Sequence, residues 1–463
     1  MTAPLELVRS SLAGTRAWLV GGAVRDALRG AGPAADLDVV IDGDVSAAAR
    51  VLATSAGAAR FELSDEFGAW RVVARDRSWQ ADLNPLRGGS LAADLALRDF
   101  TVNAIAEPLA GGERFDPLGG AGDLAAGRLR LAAPGALGAD PLRTLRLVRL
   151  AGELGLEPDA EARSAARAAA PGLRGVAAER IFAELRRILT DDEAVAGLRL
   201  AGELGLTAVI LPELDAMAGV EQNRYHHRDV AGHTIEVLEA VIALERDPGA
   251  LLGDRYAGAI SGLLGAPLAD ELTRGQALRL GALLHDVAKP PTRRVDDDGR
   301  VMFRAHDELG AAMAREILGR LRTSERLQAH VAALVRHHLR LGFLVHETPL
   351  GRRAVFRYLS ASDPVAADVT LLSVADRLAT RGARSEQAIE RHLGLARTMI
   401  GDALAWQATG PPPPLIRGDE LARELGIPPG PRLGALLAEL AEAQFAGEAT
   451  TPDAALALAR MLV

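Results

Sequence analysis

A chain of 463 residues has room for about two to four domains and a large buried core. It has no cysteine, which excludes disulfides, thiolate zinc sites and Cys nucleophiles. Its net charge of −8 argues against a general polyanion-binding surface but leaves space for a local basic groove.

In chain order, Trp18-Leu19-Val20 reads as a short apolar strand broken by Gly21-Gly22. A helix is expected from Ala23 to about Leu28, stopped by Gly30 and Pro33. Glycines let backbone N–H groups approach an anion, a helix N-terminus adds partial positive charge, and Arg25 offers a bidentate phosphate contact. Asp36-Leu37-Asp38-Val39-Val40-Ile41 reads as a buried-type strand whose first and third residues share one side. Two acids on a strand beside a phosphate nest fit a two-metal phosphoryl-transfer site. Either feature alone would be ordinary turn chemistry; their order and spacing favour the functional reading.

Asp82, on a second strand, is a candidate third acid, with a solvated strand-edge Asp as the equal alternative. Arg98-Asp99-Phe100-Thr101-Val102-Asn103-Ala104 reads as a helix start, with Asp99 able to accept from a ribose hydroxyl and Arg98 to meet a triphosphate. Asp140-Pro141-Leu142-Arg143 opens another helix with Pro in its first turn. Three apart on one face, Asp140 and Arg143 present acceptors and donors suited to a base edge; an i,i+3 surface salt bridge is the alternative.

These patterns divide the chain into an α+β head over 1–127 with a small mixed sheet, an all-α neck over 128–220, a helical region over 221–400 and a helical tail over 411–463. The stretch 128–199 carries 12 Arg against 10 Asp plus Glu, so it is net positive within an acidic protein. Gly152-Glu153-Leu154-Gly155-Leu156 recurs as Gly202-Glu203-Leu204-Gly205-Leu206, read as similar helix ends. All ten histidines fall within 221–400. There His233, His285-Asp286 and Asp376 are candidate metal ligands, with His306, His337 and His338 as further candidates. Lys289, the chain's single lysine, follows in His285-Asp286-Val287-Ala288-Lys289-Pro290, as a chance survivor or as a point charge for a phosphate. Pro411 to Pro414 marks a linker before the tail. No apolar run reaches the roughly 18 residues that span a bilayer. The N-terminus lacks a signal-peptide pattern, so the expectation is a cytoplasmic protein with no membrane partner.

The first 190 residues resemble the bacterial-type (class II) tRNA nucleotidyltransferase and poly(A) polymerase family. The match runs through Gly21-Gly22-x-Val24-Arg25-Asp26, Asp36-x-Asp38, Arg98-Asp99-Phe100-Thr101-x-Asn103-Ala104, Phe115-Asp116-Pro117-x-Gly119-Gly120, Asp140-Pro141-Leu142-Arg143-x-x-Arg146 and Glu179-Arg180-Ile181. The resemblance implies two Mg²⁺ ions on Asp36 and Asp38, with Asp82 as a third acid. It implies nucleotide contacts from Gly21, Gly22, Arg25, Arg98, Asp99, Asn103, Asp140, Arg143 and Arg146, with Asp99 checking the ribose and Asp140 with Arg143 selecting CTP and ATP. Arg128 to Arg187 would contact the tRNA backbone. The implied partners are tRNA, CTP and ATP, not DNA. Two positions depart from the family pattern: Ala139 stands where Glu is usual, and Leu97 where Arg is usual. Only Gly88-Gly89-Ser90 and a short Leu91 to Leu97 stretch separate Asn84-Pro85-Leu86-Arg87 from Arg98. Members that add only two cytidines shorten that connection similarly, so the expectation is addition of CMP, with or without AMP, to a tRNA 3′ end, with restriction to CC as the hypothesis. A poly(A) polymerase on the same scaffold, or a metal phosphohydrolase with a nucleotide-binding head, are the alternatives.

Residues 221–400 resemble the HD phosphohydrolase superfamily in the version fused to such transferases. Gln222-Asn223-Arg224-Tyr225-His226-His227 resembles its entry, and Leu415-Ile416-Arg417-Gly418-Asp419-Glu420-Leu421 its C-terminal tail. That resemblance implies a divalent transition metal or Mg²⁺ held by His233, His285, Asp286 and Asp376, Lys289 near a phosphate, and hydrolysis of a phosphomonoester or cyclic phosphodiester.

Overall fold

The computed structural model describes residues 4–64, 68–347, 349–382 and 385–463. They form two compact units, Met1–Ile210 and Leu211–Val463.

In the first unit, helix α1 (Pro4–Ser11) precedes β1 (Ala17–Val20), α2 (Gly22–Leu28), β2 (Asp36–Ile41), α3 (Val45–Ala56), β3 (Ala59–Ser64), β4 (Ala69–Val73) and β5 (Gln80–Pro85). Then come α4 (Leu91–Ala96), β6 (Ala106–Pro108), α5 (Gly120–Ala125), α6 (Ala136–Ala139) and α7 (Arg143–Leu154). The strands form one sheet in the order β3-β4-β5-β2-β1-β6. Only β2 and β5 run parallel, joined through α3 and the β3–β4 hairpin, so the sheet is mixed.

Alternation along β2 decides which face is which. Leu37, Val39 and Ile41 point to a core with Val8, Leu12, Ala49, Leu52, Val72 and Leu83, drawn from α1, the turn after it, α3 and neighbouring strands. Burying each large aliphatic side chain there stabilises by about 1.5–3 kcal/mol. Helix α3 is fixed at both ends: Asp44 accepts from the Ala47 N–H, and Gly57 closes it in the left-handed conformation. The opposite face of the sheet carries Asp36 and Asp38. It is covered at one end by a small second core of Val20, Val40, Leu95, Ala104 and Ala106.

The helix expected from Arg98 shrinks to one 3₁₀ turn, Thr101–Asn103. The Thr101 N–H donates to the Arg130 carbonyl and the Ala132 N–H to that of Asp99, pairing this segment with residues 130–132. The Thr101 hydroxyl donates to buried Asp123, so strand-like pairing outcompetes helix propagation. Helices Ala160–Ala169, Ala178–Thr190, Ala194–Glu203 and Thr207–Ile210 follow in this unit. The two related pentapeptides each end a helix, with Gly155 at φ 65° and Gly205 at φ 72°.

The second unit is helical apart from two short two-stranded ribbons. Helix Arg274–Leu284 starts with a reciprocal Thr273–Gln276 capping box, and all its residues but Arg274 and Gln276 are buried. Around it lie the helices Val230–Arg246, Glu325–His337 and Ala366–Ala379. Helix Ser385–Thr409 runs through residue 400, so the expected limit there falls inside a helix. The proline segment then leads to helices Gly418–Leu425, Pro431–Ala446 and Pro452–Leu462, which share their own apolar core. Among the described residues no helix is long and apolar enough to cross a membrane.

Candidate active sites

The first site is built on the open face of β2. Parallel pairing sets Asp38 opposite Asp82 and Asp36 opposite Gln80, so three carboxylates lie on one face of two adjacent strands. Burial pushes the Asp38 carboxyl above its usual range; Arg98 opposes this, while Asp82 and Asp36 push it further up. Asp36 and Asp38, two residues apart on the same face and both lining the cavity, offer carboxylate oxygens whose chemistry fits a divalent cation. Gly21 has φ 75°, and a Cβ there would lie 2.9 Å from Asp38 Oδ2 and 3.2 Å from Arg98 Nη1. Only glycine allows the backbone turn and the carboxylate to sit so close.

A cavity of about 640 Å³ opens here, walled by Gly21, Gly22, Asp36, Asp38, Arg98 and Asp99, with Arg143 and Arg146 also on its wall. Asp99 is buried and accepts from the Phe100 N–H at 2.8 Å and Asn103 Nδ2 at 3.0 Å. Burial pushes its carboxyl up, but Arg146 at 3.0 Å and these hydrogen bonds outweigh that and hold it below the usual range.

Several expected roles change. Arg25 lines the cavity, but its guanidinium already donates twice to Asp26, at 2.8 and 2.9 Å, and once to Asn103 Oδ1 at 2.7 Å. It therefore ties α2 to the 3₁₀ turn, and Asn103 joins Arg25 to Asp99. Asp140 and Arg143 do not pair on one helix face. Asp140 is extended, before α7, because the two residues after it form a turn and the helix starts at Arg143. Its Oδ2 accepts from Arg180 at 2.9 Å. Arg143 donates to the carbonyls of Leu97, Arg98 and Ala136. A backbone carbonyl is used at position 97, which needs no particular side chain there. Asp82 is engaged by a bidentate pair with Arg71, at 2.6 and 2.7 Å. Several neck arginines are neutralised within the protein, including Arg128 and Arg130 on Asp123, Arg149 on Glu184, and Arg187 on Glu153.

Asp94 escaped the sequence reading. It is 1% exposed, accepts from the Arg87 N–H at 3.2 Å and lies 3.9 Å from Arg98 Nη2. Its signal was present: an acid four residues before an arginine in a short helix.

The second site gathers residues from five segments. His233 lies on Val230–Arg246, His285 and Asp286 follow Arg274–Leu284, and His306 starts its own helix, His306–Arg320. His338 ends Glu325–His337, and Asp376 lies on Ala366–Ala379. The Nδ1 atoms of His285, His306 and His338 lie 2.8, 2.7 and 2.6 Å from the carbonyls of Ala282, Phe303 and Val335. A carbonyl only accepts, so each Nδ1 carries the proton and each Nε2 is left as a lone-pair donor to the centre. Asp286 binds the cluster together: its Oδ2 lies 3.1 Å from His285 Nε2 and its Oδ1 3.4 Å from His306 Nε2. His233 Nε2 lies 3.0 Å from Asp376 Oδ1.

The Nε2 atoms of His285 and His306 and both Asp286 oxygens are buried without a hydrogen-bond partner. Such orphaned donors fit a metal. Among the described residues, two triads bring ligand atoms within 4.8 Å: His233, His285 and Asp286, and Asp286, His306 and His338. His337 is not among them; the next residue round its helix, it turns outward and accepts from Arg340 Nε at 2.8 Å. Lys289 is ion-paired with Asp286, its Nζ 2.6 Å from Oδ2, and donates to Gln222 Oε1 at 2.7 Å, beside a cavity of about 590 Å³ that also includes His226, Phe303 and Arg377. Gln222 and His226, whose ring meets that of His233 edge-on at 5.0 Å, lay in the entry motif without an assigned role.

Residues 17–130 match the poly A polymerase head domain, and 155–217 match the probable RNA and SrmB-binding site of polymerase A. Residues 230–381 match the HD domain. The A-adding tRNA nucleotidyltransferase of Deinococcus radiodurans is 37% identical, covering 94% of this chain and 93% of its own. The CC-adding enzyme of Thermus thermophilus is 36% identical, covering 95% and 92%. In fold, the chain is similar to the Thermotoga maritima CCA-adding enzyme complexed with tRNA, at TM-score 0.65 and 18% identity, covering 100% and 96%. Nucleotidyltransferase and HD domains are generally metal-dependent, in keeping with the donor sets of both sites. The conjunction of head, RNA-binding and HD segments in one order, with similarity along nearly the whole length, establishes that this chain belongs to the tRNA nucleotidyltransferase and poly(A) polymerase family and carries an HD domain.

Proposed function

We propose that this protein is a tRNA 3′-end nucleotidyltransferase that transfers CMP from CTP to the tRNA 3′-hydroxyl, releases pyrophosphate and stops after two cytidines. The observation that carries the transferase reading is the row of carboxylates against the Gly21 turn, in a cavity lined by Arg98, Arg143 and Arg146. Asp36 and Asp38, with Asp82 behind them, are the residues that would hold magnesium. When bound there, it lowers the pKa of the attacking hydroxyl and neutralises charge on the triphosphate. The Gly21-Gly22 turn and Arg98 receive the triphosphate, Asp99 accepts from the ribose, and Arg143 meets the base edge once it leaves its carbonyl partners. Arg25 and Asn103 hold Asp99 in place on the wall of the same cavity.

Restriction to CC rests on the connection after β5. Gly88 and Gly89 turn it tightly at φ 67° and 74°, and Ser90 caps α4 by accepting from the Ala93 N–H. Asp94 then ties Arg87 back. No long segment intervenes to rearrange the base-reading site for ATP. Incubation of tRNA lacking its 3′ CCA with CTP and ATP tests both levels. The expected product carries CC. A complete CCA end, or AMP added to a CC end, defeats the restriction; ATP-only extension of many RNAs supports a poly(A) polymerase; no incorporation defeats the transferase.

The HD cluster supports a second, phosphohydrolase-like activity on a phosphomonoester or cyclic phosphodiester. His233, His285, Asp286 and Asp376, joined by His306 and His338, would hold a divalent transition metal or Mg²⁺, which when bound polarises a phosphoryl oxygen and acidifies water. Lys289, ion-paired with Asp286 and donating to Gln222, lies where its remaining N–H donors can meet the phosphate.

A further inference from the structure

The residues that bind the RNA strand at the head have no assignment, and the sheet offers a surface for them. The carboxylate row does not stop at Asp82. Strand pairing continues it: Asp38 faces Asp82 on β5, Asp82 faces Arg71 on β4, and Arg71 faces Phe61 on β3. The next row runs Asp36, Gln80, Val73 and Ala59. Alternation puts all eight on the one face. The small core of Val20, Val40 and Leu95 covers this face at the β1 end. The β3 end carries instead a separate cavity of about 790 Å³, lined by Phe61, Arg71, Arg75, Arg77 and Trp79, and it shares Ala35 and Asp36 with the nucleotide cavity.

The chemistry of this second cavity matches single-stranded nucleic acid. Phe61 ends the row 48% exposed, a large apolar ring facing water at a sheet surface. Arg75 and Arg77, in the turn between β4 and β5, are exposed, and among the described residues neither guanidinium has an ion-pair partner. Arg77 holds φ 59°, and its N–H donates to the Ala74 carbonyl, while Asp76 accepts from the Ser78 N–H and hydroxyl. The turn is therefore an ordered one that presents two cations on the side of the exposed Phe61 ring. Aromatic platforms with nearby cations bind unpaired strands through base stacking and phosphate contacts.

Direction supplies the rest. In-line displacement places attacking and leaving oxygens on opposite sides of the phosphorus. The triphosphate cavity centres on the Gly21-Gly22 turn after β1, and the second cavity meets it at Ala35 and Asp36, so the face over β5, β4 and β3 offers the attacking strand end a path to the acids from the other side. We infer that the open face bearing Phe61, Arg75 and Arg77 is the docking surface for the unpaired 3′ end of the acceptor RNA. This rests on the transferase reading above.

The test compares wild type with Phe61→Ala and with Arg75→Ala, Arg77→Asn, in which Asn suits the left-handed turn. The probe is tRNA lacking CCA, with melting midpoints checking the fold. Phe61→Ala is expected to raise the KM for RNA roughly 5- to 100-fold, the range of one stacked base. The double variant should flatten the slope of log binding constant against log salt by about 1.4, or 0.7 for each lost phosphate contact. Direct CTP binding should be unchanged in both. Unaltered RNA KM and salt slope in folded variants would overturn the inference, as would an equal loss of CTP binding. A wild type that adds no nucleotide to any RNA would instead remove the transferase reading itself.

Discussion

At position 21 two independent requirements meet. A φ of 75° disfavours any side chain, and a Cβ would press on Asp38 Oδ2 at 2.9 Å. Gly21→Ala is therefore expected to displace the carboxylate, cutting nucleotide incorporation by about 10²-fold while lowering the melting midpoint only modestly. Asp38→Ala should abolish incorporation with the fold intact, because a raised carboxyl beside two other acids is a liability to the apo fold. Incorporation assays paired with thermal melts check both, and substantial activity in Asp38→Ala would count against the site. Arg25 and Asp140 show the limit of reasoning from residue type. Both stand in motif positions, yet Arg25 is tied to Asp26 and Asn103, and Asp140 to Arg180. Which acceptor a guanidinium reaches depends on the packing of distant segments, and nothing local records it.

Among the elements, helix Arg274–Leu284 and its neighbours set the HD cluster, and the shared Asp286 divides it into two overlapping triads. Elemental analysis should find a divalent ion at this cluster in wild type and less of it in His306→Ala, His338→Ala. In His285→Ala, Asp286→Ala occupancy should be lost, and equal metal content in all three would refute the site. The same helices bury His330 and His392, which burial holds at about 4. His330 has Asp368 at 3.9 Å, and His392 has Ser373 Oγ at 3.1 Å. Between about 4 and the unfolded value of 6.5, the unfolded chain binds protons that these native imidazoles refuse. Their contribution is thus complete above about 6.5 and is lost as pH falls towards 4. Melting midpoints should drop over that window, and His392→Gln should shallow the drop; an unchanged profile in the variant would remove His392 from the explanation.

For the whole molecule, two compact units with separate cores and separate metal-donor sets predict separable thermal transitions. Chelation should lower the transition of the unit that carries the histidine cluster more than the other, since a ligand stabilises only the fold that binds it. Calorimetry with and without a chelator checks this, and a single transition shifted as one would contradict it.

The amino-acid sequence by itself determined the α+β head, the helical remainder and the strand that sets Asp36 and Asp38 side by side. Each of these follows from local periodicity, from glycine at a turn, or from proline at a boundary. It also contained every histidine and aspartate of the metal cluster, without saying that His338 faces inward while His337 faces Arg340. Only the tertiary structure decided that the helix expected at Arg98 is a single 3₁₀ turn, because Thr101 finds Asp123 and Arg130 across the fold. Only it extended the acidic row across β5 and β4 to Phe61. Cross-strand register and the partner of each buried charge are long-range quantities. They are set by which surfaces exclude water together, and not by any residue's neighbours along the chain.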